Sequence, residues 1–116
     1  DEACDELGVI HLQHYGKDFA SSGHLYLTRI PGARDEQRRE IITKLAERGV
    51  NTNVHYKPLP MMTAYKNMGW DIKNFPNAYA YYENLITLPL HTKLSDEDVE
   101  YVTENFKAVV SAYTSK

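Results

Sequence analysis

The stretch from Ser95 to Tyr113 constrains the fold more than any other part of the chain. Val99, Val102, Phe106, Val109 and Tyr113 recur at helical spacing, and most positions between them are charged or polar. Ser95 stands at the N-cap with Asp98 three residues on, and acids fill the first turn, where they meet the positive end of the helix dipole. A helix with one apolar stripe has to bury that stripe on another layer. The material for that layer lies upstream. "HLYLTRI", residues 24–30, is dense in leucine, aromatic and β-branched residues and is stopped by "PG", which reads as a strand buried on both faces. "LITLPL", residues 85–90, reads as a further short strand.

Between these lie weaker signals. Asp35 is placed to cap a helix whose stripe is Ile41, Ile42 and Leu45, with Gly49 as its left-handed stop. "VNTNVHY", residues 50–56, alternates with period two, so Val50, Thr52, Val54 and Tyr56 are expected on one face and Asn51, Asn53 and His55 on the other. "PLP" ends that strand, because proline cannot donate to a sheet ladder. "MMTAYKNMG" predicts a short helix closed by Gly69, and "NFPNAYAYYEN" another with Pro76 in its first turn. Residues 1–23 show no sustained period and read as a lead-in segment to a core spanning 24–113. The order strand, helix, strand, helices, strand, helix predicts an α+β fold, a small sheet of about three strands covered by helices. One domain over residues 1–116 is expected, since a chain of 116 residues supports one modest core.

Composition removes several function classes. Thirteen basic and sixteen acidic residues give a net charge of −3. No segment concentrates Lys and Arg as phosphate neutralisation requires, so nucleic acid is not an expected partner. No run approaches the roughly 20 apolar residues that span a bilayer. "DEACDELG" is acidic where a secretory signal is basic, so the expected setting is the cytoplasm and no membrane partner is expected. The single cysteine, Cys4, excludes an internal disulfide and a cysteine-based zinc site.

Five histidines remain as chemical candidates: His11, His14, His24, His55 and His91. His11 and His14 stand three apart, a spacing that chelates a metal only on a helix and with a third ligand, so no metal site and no zinc-dependent hydrolase is expected. Cys4 and the "SSG" at residues 21–23 lack the setting of an activated nucleophile, and no glycine-rich loop is present to cradle phosphate. The chain carries no self-contained catalytic residues. His55 stands apart, sharing a polar face with Asn51 and Asn53 beside a stiff proline loop. That pattern fits a ligand-facing residue and equally a solvated sheet face.

"SSGHLYLTRI", then "GVNTNVHYKPLPMMTAY", then "FPNAYAYYENLITLPLHTKLSDEDVEYV", in this order, closely resembles the C-terminal part of the DegT/DnrJ/EryC1/StrS aminotransferases. These are pyridoxal-phosphate enzymes that aminate nucleotide-linked keto-sugars. The likeness runs from about residue 21 to residue 110, and the ordered series is more specific than any one motif. It implies the small domain of a fold-type-I aminotransferase that serves polysaccharide or glycoconjugate synthesis, with an amino acid, glutamate, as donor. The partners implied are an N-terminal large domain, the amino donor and a nucleotide sugar, in an enzyme that is a homodimer.

The resemblance places the Schiff-base lysine, the acid facing the pyridine nitrogen and the phosphate-binding groups in that large domain. No cofactor is therefore expected on this segment, and the segment alone is expected to be inactive. The "HY.P" motif carries His55 and Tyr56 over as substrate-side residues that orient the ligand. Arg29 is a third candidate, as a forked partner for the donor carboxylate. Many family members read "HY.PLH" where this chain has Pro60 in place of the second histidine, which bears on substrate identity. The rival reading is a free-standing α+β binding module without catalytic activity, distinguished by a fully polar surface.

Overall fold

The computed structural model describes residues 1–114. In chain order these form α1 (Glu2–Leu7), β1 (Ile10–His11), β2 (Tyr26–Arg29), α2 (Asp35–Glu47), α3 (Thr63–Asn67), α4 (Pro76–Tyr82), β3 (Leu85–Leu88) and α5 (Asp96–Val110). Short 3₁₀ turns occupy Leu59–Met61 and Ile72–Asn74. β2 is the middle strand of a three-stranded sheet and pairs antiparallel with β1 and β3. Across β2 and β3, Tyr26 faces Leu88 and Arg29 faces Leu85. The architecture is α+β, as the order of elements predicts.

Alternation along the strands gives the sheet two unlike faces. On the inner face Ile30 and Ile86 meet Ile41 and Leu45 of α2 and Phe106 and Val110 of α5 in one buried cluster. Thr28, fully buried, donates its hydroxyl to the Ile86 carbonyl at 2.8 Å, so its polar atom is satisfied inside the core. On the outer face Arg29 reaches α4. Its Nε donates to Asn84 Oδ1 at 3.0 Å, its Nη2 to the Ala80 carbonyl at 3.1 Å, and its guanidinium lies 4.5 Å over the Tyr81 ring.

The two long helices differ in how they begin. α5 starts with the reciprocal cap its sequence predicts: Asp98 N donates to Ser95 Oγ at 3.1 Å and Ser95 N to Asp98 Oδ2 at 2.9 Å. The Ser95 backbone N–H, and then its hydroxyl, hold the Asp98 carboxyl below its ordinary range. Asp35, by contrast, does not cap α2. The N-cap is Arg34, whose N–H donates to Gln37 Oε1 at 2.9 Å, and Asp35 is already the first helical residue. Its carboxylate instead pairs with Arg38 and with Arg39 Nη2, the latter at 2.7 Å. Arg38 is buried, with Nη1 donating to the Tyr82 carbonyl at 2.5 Å and its plane 4.2 Å over the Tyr82 ring. Two oppositely charged neighbours one helical turn on outcompete the cap for the same carboxylate.

Two further expectations are corrected. Residues 1–23 are more than a lead-in: α1 and β1 form there, and Cys4 and Val9 belong to the buried cluster. Both elements are too short to show a period, and burial pushes the Cys4 thiol up from its ordinary value. Residues 50–56 do not form a strand. Only Asn53 pairs, in one bridge to Thr87, with Asn53 N donating to Thr87 O at 3.1 Å and Thr87 N to Asn53 O at 2.7 Å. Just past the end of β3 the next residue facing that edge is Pro89, which has no N–H, so the ladder cannot lengthen toward it. The third strand of the sheet is β1, and not the alternating stretch.

Candidate functional site at the outer edge of β3

The Asn53–Thr87 bridge fixes where the chain leaves the sheet, and the ring of His55 follows from it. His55 is half-buried, with Nδ1 3.0 Å from Thr87 Oγ1. Tyr56 is 65% exposed, and its ring stands edge-on to the imidazole with centroids 4.7 Å apart. The peptide bond between them is cis. Period two would send these side chains to opposite faces; with no strand continuing through them, their rings are neighbours instead.

Beside them lies a cleft of about 290 Å³, walled by Asn51, Thr52, Asn53 and His55, by His24 and Leu25, and by the chain from Thr87 to Leu90 at and just past the end of β3. Its lining holds two imidazoles, two asparagines and two threonines, and neither a carboxylate, a lysine nor an arginine. Asn53 Oδ1 accepts from Val54 N at 2.7 Å, which leaves the amide nitrogen as a donor. The Thr52 hydroxyl is buried with no partner among the described residues. This is a wall that offers hydrogen bonds to an acceptor-rich ligand; it holds no charged acid–base pair.

The other candidates are placed elsewhere. Arg29 is on the outer face but turned to α4, with two of its N–H groups already committed to Asn84 and Ala80. His11 and His14 flank Tyr26, their ring centroids 6.3 and 5.6 Å from the phenol ring. His11 lies between two acids, Nδ1 3.3 Å from Asp1 and Nε2 3.2 Å from Asp5, while His14 Nδ1 is 2.8 Å from Ser21 Oγ. Because the acids sit on opposite ring nitrogens of His11, they cannot share one metal with it. Among the described residues no group of three or more His, Cys, Asp or Glu is disposed to hold a metal ion. The Tyr26 phenol, with burial as the main cause, is pushed up to about 12. Thr87 is the site residue that sequence reasoning missed. Its one signal was a polar residue inside the apolar run "LITLPL".

A small antiparallel sheet with helices on its two faces and an "HY.P" segment leaving its edge defines the class, and comparison supplies the family. Residues 2–107 match the DegT/DnrJ/EryC1/StrS aminotransferase family, to which this chain belongs. It is 36% identical over 90 residues to the spore coat polysaccharide biosynthesis protein SpsC of Bacillus subtilis, covering 75% of this chain and 23% of that protein. It is 28% identical over 102 residues to the UDP-4-amino-4,6-dideoxy-N-acetyl-beta-L-altrosamine transaminase of Campylobacter jejuni, covering 88% of this chain and 26% of that one. Among solved structures, the PLP-form of the putative sugar aminotransferase Spr1654 from Streptococcus pneumoniae superposes with a TM-score of 0.88 at 50% identity, over 99% of this chain and 30% of that chain. The chain thus spans about a quarter of the curated relatives' length and under a third of the solved chain's.

Pyridoxal phosphate, the cofactor of this family, is not fitted by the cleft. No lysine, no acid and no phosphate-binding arginine lines it. No helix among the described residues is long and apolar enough to cross a membrane.

Proposed function

We propose that this chain is the C-terminal small domain of a pyridoxal-phosphate-dependent aminotransferase that moves an amino group from an amino acid, glutamate, to a nucleotide-linked keto-sugar for polysaccharide or glycoconjugate synthesis. The observation that carries this reading is the donor-rich cleft beside the "HY.P" segment, in a domain alike over almost its whole length to part of a putative sugar aminotransferase. A transaminase for a UDP-linked amino-sugar is among its relatives.

In this reading the small domain forms one wall of the active site. His55 and Tyr56 orient the sugar nucleotide by hydrogen bonding and ring contact, and the cofactor is held by the N-terminal large domain. Arg29 is the third candidate, as partner of the donor carboxylate; its ties to α4 leave only its remaining guanidinium donors for that work. The full enzyme is a homodimer, and the 116-residue chain alone is inactive.

The test is expression of the complete reading frame, incubation with pyridoxal phosphate and glutamate, and a screen of UDP- and dTDP-linked keto-sugars by mass spectrometry. An aminated sugar nucleotide is the expected product. A reading frame without a pyridoxal-phosphate domain upstream sinks the proposal. So does turnover of glutamate by the 116-residue chain supplied with the cofactor.

A further inference from the structure

Thr87 holds a position that packing alone does not explain. Its backbone faces the outer edge of β3 and is pinned on both sides by Asn53, through hydrogen bonds of 3.1 and 2.7 Å. Its side chain is buried, 4% exposed, on the outer face of the sheet, 3.0 Å from His55 Nδ1. A β-branched residue on a strand has few χ1 choices, so a backbone held at both polar atoms also holds the hydroxyl. Among the described residues that hydroxyl makes no other hydrogen bond. A buried hydroxyl is best satisfied when it donates its hydrogen in a hydrogen bond, and here the acceptor within reach is Nδ1.

The consequence lies on the other side of the ring. An imidazole whose Nδ1 accepts from Thr87 must, when neutral, carry its hydrogen on Nε2. Nε2 makes no hydrogen bond to any described residue, and His55 lines the cleft, where no carboxylate competes for that hydrogen. The edge of Tyr56 closes one side of the ring, 4.7 Å away. The imidazole is thus held by a hydroxyl at one nitrogen and an aromatic ring at its side, leaving one N–H for a ligand.

We infer that Thr87 is a positioning residue: it sets His55 as the Nε2–H tautomer, so that the cleft presents a fixed donor to an acceptor oxygen of the bound ligand. Through His55 this deepens the reading above, which assigns His55 to the sugar nucleotide. The tautomer itself does not depend on that reading.

Two measurements separate the two ideas. Long-range proton–nitrogen correlation spectra of this chain at about pH 8, where imidazole is ordinarily neutral, report the tautomer of each histidine. His55 is identified by the resonances lost in His55→Gln. The expected result is a hydrogen on Nε2 in the parent chain and in Thr87→Ser, and a mixture of tautomers in Thr87→Val. A parent spectrum with the hydrogen on Nδ1 overturns the inference, and so does a Thr87→Val spectrum like the parent's. Thr87→Ser and the parent decide the matter should the valine variant not fold.

In the complete enzyme, Thr87→Val is expected to raise KM for the sugar nucleotide about tenfold, the size of one lost neutral hydrogen bond, with Thr87→Ser near the parent. Should the tautomer result hold while His55→Gln leaves sugar-nucleotide kinetics unchanged, the assignment of His55 to the ligand fails and the Thr87–His55 geometry stands. An unchanged KM in Thr87→Val, beside a raised KM in His55→Gln, overturns the positioning role itself.

Discussion

Ile86 and Thr87 are neighbours on β3 and belong to two unlike regions. Ile86 points into the cluster between the sheet and the long helices, where the buried Thr28 hydroxyl is satisfied by the Ile86 carbonyl. Thr87 points to the cleft edge, where the Thr52 hydroxyl has no partner among the described residues and the asparagines and imidazoles are left with donors to spare. The inner region contributes stability and keeps little hydrogen-bonding capacity unspent. The outer one keeps hydrogen-bonding capacity unspent, which adds little to folding but serves recognition. One strand gives both because its side chains alternate.

Substitutions ranked by expected effect put this contrast at risk. Phe106→Ala empties the largest fully buried side chain of the inner region and is expected to cost about 3–5 kcal/mol in urea denaturation. A cost near zero would mean that the cluster is not the stabilising region. Arg38→Ala removes the guanidinium joining Asp35 to the Tyr82 carbonyl and is expected to cost roughly 2–3 kcal/mol, as for hydrogen bonds made by a charged group. Arg38→Met, which keeps the packing over Tyr82, should lose less if burial and not charge dominates.

Ser95→Ala is expected to cost about 1 kcal/mol through the α5 cap. Part of that cap depends on pH, and the sign follows from Asp98. Its carboxyl is held low in the folded state, so the unfolded chain binds the proton more readily. The contribution is complete above the ordinary aspartate value of about 3.9 and is lost as pH falls through the lower folded value. In melts at successively lower pH, the gap between parent and Ser95→Ala should therefore narrow below about pH 4. The smallest effect is at the edge: Tyr56→Ala should change stability by less than about 0.5 kcal/mol, since the ring is mostly exposed. A loss there comparable to that of Phe106→Ala would erase the distinction between the two regions.

The parts of the fold readable from sequence were those with a local cause. The α5 cap needs Ser95 and Asp98 three apart, and both lie in one turn. Gly49 and Gly69, at φ of 75° and 90°, end their helices because glycine takes that backbone without a Cβ clash. α4 begins at Pro76, whose missing N–H would have been unpaired there anyway. Misreadings arose where a distant partner decided. Asp35 lost its capping role to Arg38, whose own place depends on Tyr82, 44 residues on. The alternation at 50–56 was sound as a pattern, yet a strand also needs an edge to pair with, and beyond the Asn53–Thr87 bridge the next outward-facing residue is Pro89, which has no N–H to donate.

The candidate site divides in the same way. His55 and Tyr56 were legible as a motif, while the hydroxyl 32 residues away that meets the imidazole was not. By itself the sequence determined α2 to α5, the cap of α5, the glycine stops of α2 and α3, the two main strands and the family, because each is written in neighbouring residues or in their order. The tertiary structure alone decided which strand completes the sheet, that Arg29 turns to α4, and that Thr87 stands behind His55. Those outcomes depend on which backbone edges and buried polar atoms are left to be paired once the chain has folded back on itself, a condition that no local stretch encodes.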